Sequence, residues 1–409
     1  MKKVKLALSA LGTALILAGC GGGGSTATTT NSAGLTSMVV FGDSLSDIGT
    51  YKVGAIAAFG GGTFSVNSPT AKNWTELVAA QYNLPKPCAA QTGLPSIVPG
   101  IAAVPIQDFT ACRNYAQGSS RVTSTVGPRS LAIQQGVIAF TKAAGGTDAQ
   151  AVQAAIDAKA GLGLMAVPLV KQMANHLAAA GGSYTGKELI TILAGGNDAL
   201  MNLNGVLNAA AGGVGAVVAA QFAGWLPGVQ ASVAAGGDAA TGAAQQAAVA
   251  GMVQAANELV AAINTQLLAK GAKYVTVVSL PDLSQTPFIA PSGPAARGLS
   301  SLLVTTFNST VNAGLAGKSG VIIVDAYTQG RDQIINPSQY GLSNVTAPAC
   351  STTSPANPFE GASLGCTAAS LIPGDTSKYL FADDIHQTPY GNQLLAQFVT
   401  KNLVTAGWQ

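Results

Sequence analysis

Val39-Val40-Phe41-Gly42-Asp43-Ser44-Leu45-Ser46-Asp47 is the stretch on which the reading of this chain turns. The apolar run from Met38 to Phe41 predicts a buried strand, and Gly42 and Asp43 are turn residues that stop it. Ser44 is then expected at the carboxyl end of a strand, where open α/β sheets place their ligand crevices. A serine held there, near the amides that open the next helix, meets the needs of a nucleophile beside an oxyanion hole. The same residues would also serve as a Ser/Asp turn capping that helix, so the rest of the chain has to decide.

Outward from this strand the pattern repeats. Glu188 to Leu193 reads as a second apolar strand, closed by Ala194-Gly195-Gly196-Asn197-Asp198. Tyr274 to Val278 is β-branched and stops at Leu280-Pro281-Asp282, and Val321 to Val324 ends at Asp325. Helical spacing of apolar residues covers Asn73 to Tyr82, Ser130 to Ala144, Asp148 to Ala180, the region of Phe307 and Asn308, and a last helix from about Tyr390 to Val404. Pro168 is expected to break or kink the Asp148–Ala180 stretch. Residues 83–111 are rich in proline without a period and predict an irregular excursion; the segment around 350–366 reads as a loop. Residues 202–270 are mostly Ala, Gly and Val with helical potential, and we treat about 202–262 as an insertion. Its most apolar part, Gly205 to Trp225, contains Asn208, Gln221 and several glycines, which favours a soluble insertion over a membrane span. Strands alternating with helices predict an α/β fold: a three-layer α/β/α sandwich with a mainly parallel central sheet and helical insertions, formed by residues 36–409 as one domain.

The chain has 409 residues, 48% hydrophobic and 9% charged, ample for a large core. Lys2, Lys3 and Lys5 precede an apolar run, Leu6 to Leu17, too short to span a membrane as a mature helix. Leu17-Ala18-Gly19-Cys20 resembles a bacterial lipobox, which implies a signal peptide over 1–19 and a lipid anchor at Cys20. A flexible Gly/Ser/Thr tether over 20–35 follows. Gly21 in place of Asp after that cysteine implies the outer membrane, on either its periplasmic or its surface face; ordinary secretion is the alternative. Removing residues 1–19 takes three lysines and no acids, so the 20 Lys+Arg fall to 17 and match the 17 Asp+Glu. No basic stripe remains to suggest nucleic-acid binding. Cys88, Cys112, Cys350 and Cys366 are an even set in an oxidising compartment. Three pairings are open; Cys88–Cys112 and Cys350–Cys366 are favoured because each closes a modest loop in Gly/Pro-rich sequence. Without closely paired cysteines, and with only two histidines, neither a metal nor another cofactor is expected.

Ester hydrolysis by serine needs a nucleophile, a base, a group orienting the base, and donors for the oxyanion. His176 lies inside helical spacing, Lys171 to Leu177, and reads as an ordinary helix histidine. His386 lies in a polar loop before the last helix, with Asp383 and Asp384 just upstream; one turn would bring the Asp383 carboxylate to the imidazole. Asn197 offers two N–H donors at a strand end, and Gly118 a backbone N–H with no side chain in the way. Gly361-Ala362-Ser363-Leu364-Gly365 matches the G-x-S-x-G elbow of α/β-hydrolases. It is read as a decoy, because Ser351 to Glu360 has no strand pattern and the motif abuts Cys366.

Phe41–Asp47, Asn114–Gly118, Gly195–Asp198 and Asp383–His386 together resemble, in order, the four blocks of the SGNH (GDSL) hydrolase superfamily. The FGDSLSD form is similar to its larger secreted esterase and lipase branch, as are Leu280-Pro281-Asp282-Leu283 and Asn336-Pro337 to Tyr340-Gly341. The resemblance runs over roughly residues 36–405 as scattered short blocks and implies the flavodoxin-like SGNH fold. It also implies roles. Ser44 attacks the ester carbonyl, His386 takes and returns the proton, and Asp383 orients His386. The Ser44 and Gly118 N–H groups and the Asn197 side chain hold the oxyanion. The family often has Gly-Gly or Gly-Ala in the second block where Ser119-Ser120 follows Gly118 here, which leaves the register of Gly118 open. The expected substrate is a small-molecule or lipid ester. Lipase, phospholipase, short-chain esterase and carbohydrate O-acetylesterase activities all fit. The competing reading is a non-enzymatic surface lipoprotein that binds a ligand; the complete Ser44, Asn197, His386 and Asp383 set weighs against it.

Overall fold

Met38 to Phe41 form a fully buried strand, and the fold is built beside it. The computed structural model describes residues 30–95, 102–157, 165–357 and 359–409. The expected signal peptide, Cys20 and most of the tether lie outside these residues. In chain order the elements begin with β1 (Ser37–Gly42), α1 (Gly54–Ala58), α2 (Trp74–Gln81), β2 (Gln91–Leu94), β3 (Val104–Asp108), α3 (Leu131–Ala143), α4 (Asp148–Asp157) and α5 (Leu169–Ala179). They continue with β4 (Glu188–Leu193), α6 (Gly196–Ala209), α7 (Gly213–Ala223), α8 (Pro227–Ala235), α9 (Gly237–Ala262), β5 (Tyr274–Val278), α10 (Gly293–Leu315) and β6 (Val321–Val324). The last are α11 (Ala326–Ile335), β7 (Asn344–Pro348), β8 (Tyr379–Phe381) and α12 (Pro389–Thr405).

The central sheet is parallel, in the order β1-β4-β5-β6. β4 is buried at all six positions, which for a pleated strand means that both faces are covered. The helices do the covering: α2 packs with α12, while α6, α9 and α10 pack with one another. One hydrophobic cluster runs from Leu35 to Leu403 and takes in the strands together with Ala216, Ala220, Ala244, Ala248, Met252 and Ala256 of α7 and α9. Alanine at those positions lets the helices approach closely, so one face of the Ala-rich 202–262 stretch is packed core. No described helix is long and apolar enough to cross a membrane, and Gly205–Trp225 is divided between α6, α7 and the turns around them.

The parallel register positions the site. Gly42 pairs with Leu193, so β1 and β4 end level, and the turns carrying Ser44 and Asn197 leave the sheet side by side. Gly42 has no alternative, since a Cβ there would come within 2.6 Å of Leu193 O. On the free edge of β1, Arg113–Tyr115 runs alongside: Val40 N donates to Arg113 O at 2.9 Å and Tyr115 N to Val40 O at 2.8 Å.

Two local expectations are refined, one strand pair is added, and the favoured disulfide pairing is met. The 83–111 excursion contains an antiparallel pair, β2 with β3, apart from the main sheet. Asp148–Ala180 is divided between α4 and α5, and Pro168 stands at the N-cap of α5, where its missing N–H is no loss. β7 and β8 form a small parallel pair; at five and three residues they are too short to show a period in sequence. The disulfides are Cys88–Cys112 and Cys350–Cys366.

Candidate active site

Ser44 lies in the turn that follows β1. Ser46 N donates to Asp43 O at 3.1 Å and Leu45 N to Asp43 Oδ1 at 3.0 Å, so Asp43 closes the turn. The turn is pinned from below by Gln172 of α5. Its Oε1 accepts from Gly42 N at 2.9 Å, and its Nε2 donates to Gly42 O at 2.8 Å. A buried side chain pairing both backbone groups of one residue acts as a short extra strand.

His386 reaches this turn from the loop between β8 and α12. Its Nε2 lies 2.8 Å from Ser44 Oγ. Its Nδ1 lies 2.9 and 2.8 Å from the two Asp383 oxygens. Asp383 and His386 are both buried. The remaining lone pairs of Asp383 accept from Ile385 N at 3.0 Å, His386 N at 2.7 Å and Ser363 N at 2.8 Å. Burial alone would raise the Asp383 carboxyl, but the facing His386 ring and nearby Arg129 outweigh it and hold the group well below the usual carboxylate range. The G-x-S-x-G look-alike thus has a different place: its backbone holds Asp383, and Ser363 Oγ is buried with no partner among the described residues. Cys366, three residues on, is bonded to Cys350, whose N–H donates to Ala382 O at 2.8 Å. The disulfide therefore clamps this loop to the strand leading into Asp383. Phe64 covers the outer side of the imidazole, ring centroids 5.0 Å apart.

Asn197 opens α6 beside Ser44, after Gly195 in a left-handed turn at φ +105°. One hydrogen of its Nδ2 goes to Ser120 O at 2.8 Å, and the other has no partner among the described residues. Gly118, the expected second backbone donor, is already engaged. Its N–H donates to Asp47 Oδ2 at 3.0 Å, and a Cβ there would meet the Phe64 ring at 2.3 Å. The next residue, Ser119, lines the cleft with Ser44 and Asn197 and has an unusual φ of +66° for a non-glycine residue. Neither Ser44 N nor Ser119 N has a hydrogen-bond partner among the described residues. Asp47 is buried and also accepts Gly49 N at 2.9 Å and Thr50 N at 2.8 Å. Burial pushes its carboxyl up to about 6 against the pull of these N–H donors. Asp43 is pushed up to about 7, again chiefly by burial.

His176 is elsewhere: it is buried in α5 against Phe41, Tyr115 and Tyr184, and burial lowers it to about 4. It is a core histidine.

Ser44, His386, Asn197 and Ser119 open onto a cleft of about 680 Å³. A serine hydroxyl bonded to an imidazole, itself backed by a buried carboxylate, is the arrangement that turns a weak nucleophile into an effective one. Asp47, Ser119 and Phe64 were not singled out from sequence; Asp47 sits in the quoted motif, and Ser119 directly follows Gly118.

A sequence model of the family described as GDSL-like lipase/acylhydrolase matches residues 38–399. A GDSL esterase/lipase of Arabidopsis thaliana is 38% identical over 79 residues, 19% of this chain and 20% of that protein. Esterase EstA of Pseudomonas aeruginosa is 33% identical over 144 residues, 34% of this chain and 21% of that protein. A protein of Pseudomonas putida described only by its place between trpE and trpG is 30% identical over 156 residues, 38% of this chain and 25% of that protein. The chain thus spans between a fifth and a quarter of the length of these relatives.

Proposed function

Because the chain belongs to the GDSL-like lipase/acylhydrolase family, we propose that it is a serine hydrolase of carboxylic esters. The observation that carries this reading is the unbroken line from Ser44 Oγ to His386 Nε2, and from His386 Nδ1 to Asp383. His386 takes the Ser44 proton as Oγ attacks the ester carbonyl carbon. The imidazolium formed is stabilised by the Asp383 carboxylate, whose depressed pKa keeps it ionised. The carbonyl oxygen becomes an oxyanion within reach of the Ser44 N–H, the other Asn197 hydrogen and the Ser119 N–H. In this reading Ser119 takes the role expected of Gly118, whose N–H is engaged by Asp47. The tetrahedral intermediate collapses, His386 protonates the departing alkoxide, and an acyl ester remains on Ser44. Water, deprotonated by His386, then releases the acid by the same steps in reverse.

Short-chain, lipid and acetylated carbohydrate esters all satisfy this chemistry. The reading includes export: the lipobox-like Leu17–Cys20 supports a lipid anchor, and the two disulfides support an oxidising compartment. The test is hydrolysis of p-nitrophenyl esters together with labelling by a fluorophosphonate, wild type beside Ser44→Ala. Turnover should fall on the order of 10⁴-fold or more in the variant, and labelling should vanish. A folded Ser44→Ala protein that keeps its turnover would remove Ser44 from the nucleophile's role.

A further inference from the structure

Two of the proposed oxyanion donors sit on separate pieces of chain, and one buried ion pair joins those pieces. The Ser119 N–H belongs to the segment Gly118–Val122, and Asn197 to the first turn of α6. Ser119 has φ +66°, a conformation that a non-glycine residue keeps only where its surroundings hold it. Asp47 fixes the near side through the Gly118 N–H. On the far side Asn197 Nδ2 donates to Ser120 O at 2.8 Å. Beside it, Asp198 Oδ2 accepts from Val122 N at 3.0 Å and Oδ1 from Arg121 Nε at 2.9 Å. Two adjacent residues of α6 thus grip the segment directly after Ser119.

Arg121 extends this grip to α7. Its Nη1 donates to Phe222 O at 3.0 Å and Val126 O at 3.3 Å, and its Nη2 to Ala223 O at 3.2 Å. Phe222 and Ala223 end α7, where helix carbonyls lack partners within the helix and favour a cation. Arg121 and Asp198 are both buried. As a source of stability such a pair is a poor choice, because apolar side chains of the same volume do as well. What the guanidinium adds is geometry. Its planar fork holds several partners in fixed directions, which a lysine ammonium on a flexible stem does not. The bonds therefore run from α7, which walls the cleft through Val218 and Phe222, to both sides of the oxyanion hole. Neither Arg121 nor Asp198 is among the described residues that line the cleft, so the pair acts through its neighbours.

We propose that Arg121 and Asp198 are positioning residues of the oxyanion hole. The pair aims the Ser119 N–H and the Asn197 amide at one point, and α7 of the Ala-rich insertion is part of the frame that holds them. The proposal rests on the hydrolase reading above. The oxyanion forms only as Ser44 Oγ attacks, so a displaced donor weakens the transition state and not the binding of substrate.

The experiment compares wild type with Arg121→Gln, Arg121→Lys and Arg331→Gln. The last breaks the other Arg–Asp pair among the described residues; its Asp282 is buried, and neither partner lines the cleft. Measured are kcat and KM on p-nitrophenyl valerate, Ki for butyl trifluoromethyl ketone, and Tm. The ketone carbon takes Ser44 Oγ, its oxygen becomes the oxyanion, and the Ser44 proton passes to His386, so Ki reads the hole without turnover. Arg121→Gln should lower kcat about 10- to 100-fold with KM within about threefold, and raise Ki by a similar factor. Arg121→Lys keeps the charge but not the fork; it should lose about tenfold or more in both, and it carries the test where Arg121→Gln does not fold. Arg331→Gln should lower Tm and leave kcat and Ki within about threefold of wild type. Folded Arg121 variants that keep kcat and Ki overturn the positioning role. So does a kcat lost with Ki kept, which places the loss outside the oxyanion, and so does an equal loss in Arg331→Gln. In all three cases Ser44-dependent turnover keeps the hydrolase reading standing. Turnover that survives Ser44→Ala, or none on any ester by folded wild type, overturns the hydrolase reading and the positioning role with it.

Discussion

Asp47→Asn separates the two candidates for the backbone oxyanion donor. Asp47 is buried and holds three N–H groups: Oδ1 accepts from Gly49 and Thr50, and Oδ2 accepts from Gly118 at 3.0 Å. Asparagine keeps the volume and the Oδ1 bonds, but its NH₂ then faces the Gly118 N–H, donor against donor. The lost bond is charge-assisted and worth about 1.5–3 kcal/mol. Stability should change less than that, because the substitution also removes a buried charge. The effect should fall on the position of the adjacent Ser119 N–H. Expressed fully in the transition state, it lowers kcat by roughly 10- to 100-fold, below the 10²–10³ ceiling for deleting a donor outright. The assay is kcat and KM on a p-nitrophenyl ester at pH 8, with a thermal melt to show that the variant is folded. Expected are a fallen kcat, a KM within about threefold of wild type, and a Tm within about 5 °C. If turnover is kept or raised, the reasoning fails: freeing the Gly118 N–H would then have supplied the donor, and the assignment returns from Ser119 to Gly118.

Asp383→Asn should cost about 10³- to 10⁴-fold in kcat, since either amide orientation sets an NH₂ against backbone donors and disturbs the His386 tautomer; Asp384→Asn should cost far less, and the reverse order of the two kcat values would move the orienting role. Ser363→Ala should keep turnover within about threefold, because Ser363 Oγ makes no bond among the described residues and only its N–H serves Asp383; abolished turnover would reinstate the G-x-S-x-G serine. His176 has a folded pKa lowered to about 4 from 6.5 by burial, so between those values the unfolded chain takes up a proton that the folded one refuses. Stability from this group is present above pH 6.5 and is lost as pH falls toward 4, by about 3 kcal/mol in all. Urea denaturation at pH 7.5 and 4.5 should show this loss in wild type and a smaller one in His176→Phe; equal losses would refute it.

Much of the site was legible because its members are local. Ser44, Asn197, Asp383 and His386 each sit in a short motif at the end of a strand or before a helix, where Gly42, Asp43 and Gly195 mark the turns at the first two. The central strands were legible for a similar reason, since a four- to six-residue β-branched run is a local signal. β7 and β8 were not, because three to five residues with a proline among them carry no period. The Ala-rich stretch announced helix but not its use: nothing in a run of Ala, Gly and Val tells which face meets the sheet and which, through Met201, Val218 and Phe222, meets a cleft.

Sequence by itself determined the order of the four central strands, the turn that presents Ser44, and the inventory of groups able to act on an ester. Tertiary structure decided how those groups are spent. The Gly118 N–H is taken by a carboxylate 71 residues away, Asn197 gives one hydrogen to a carbonyl 77 residues away, and Asp383 is held by an N–H from the motif read as a decoy. Residue type says which hydrogen bonds a group can make, and local pattern says where its backbone lies. Which partner it meets is set by the parallel register of β1 and β4 and by the packing of α6, α7 and α3 around the cleft, which no local stretch contains.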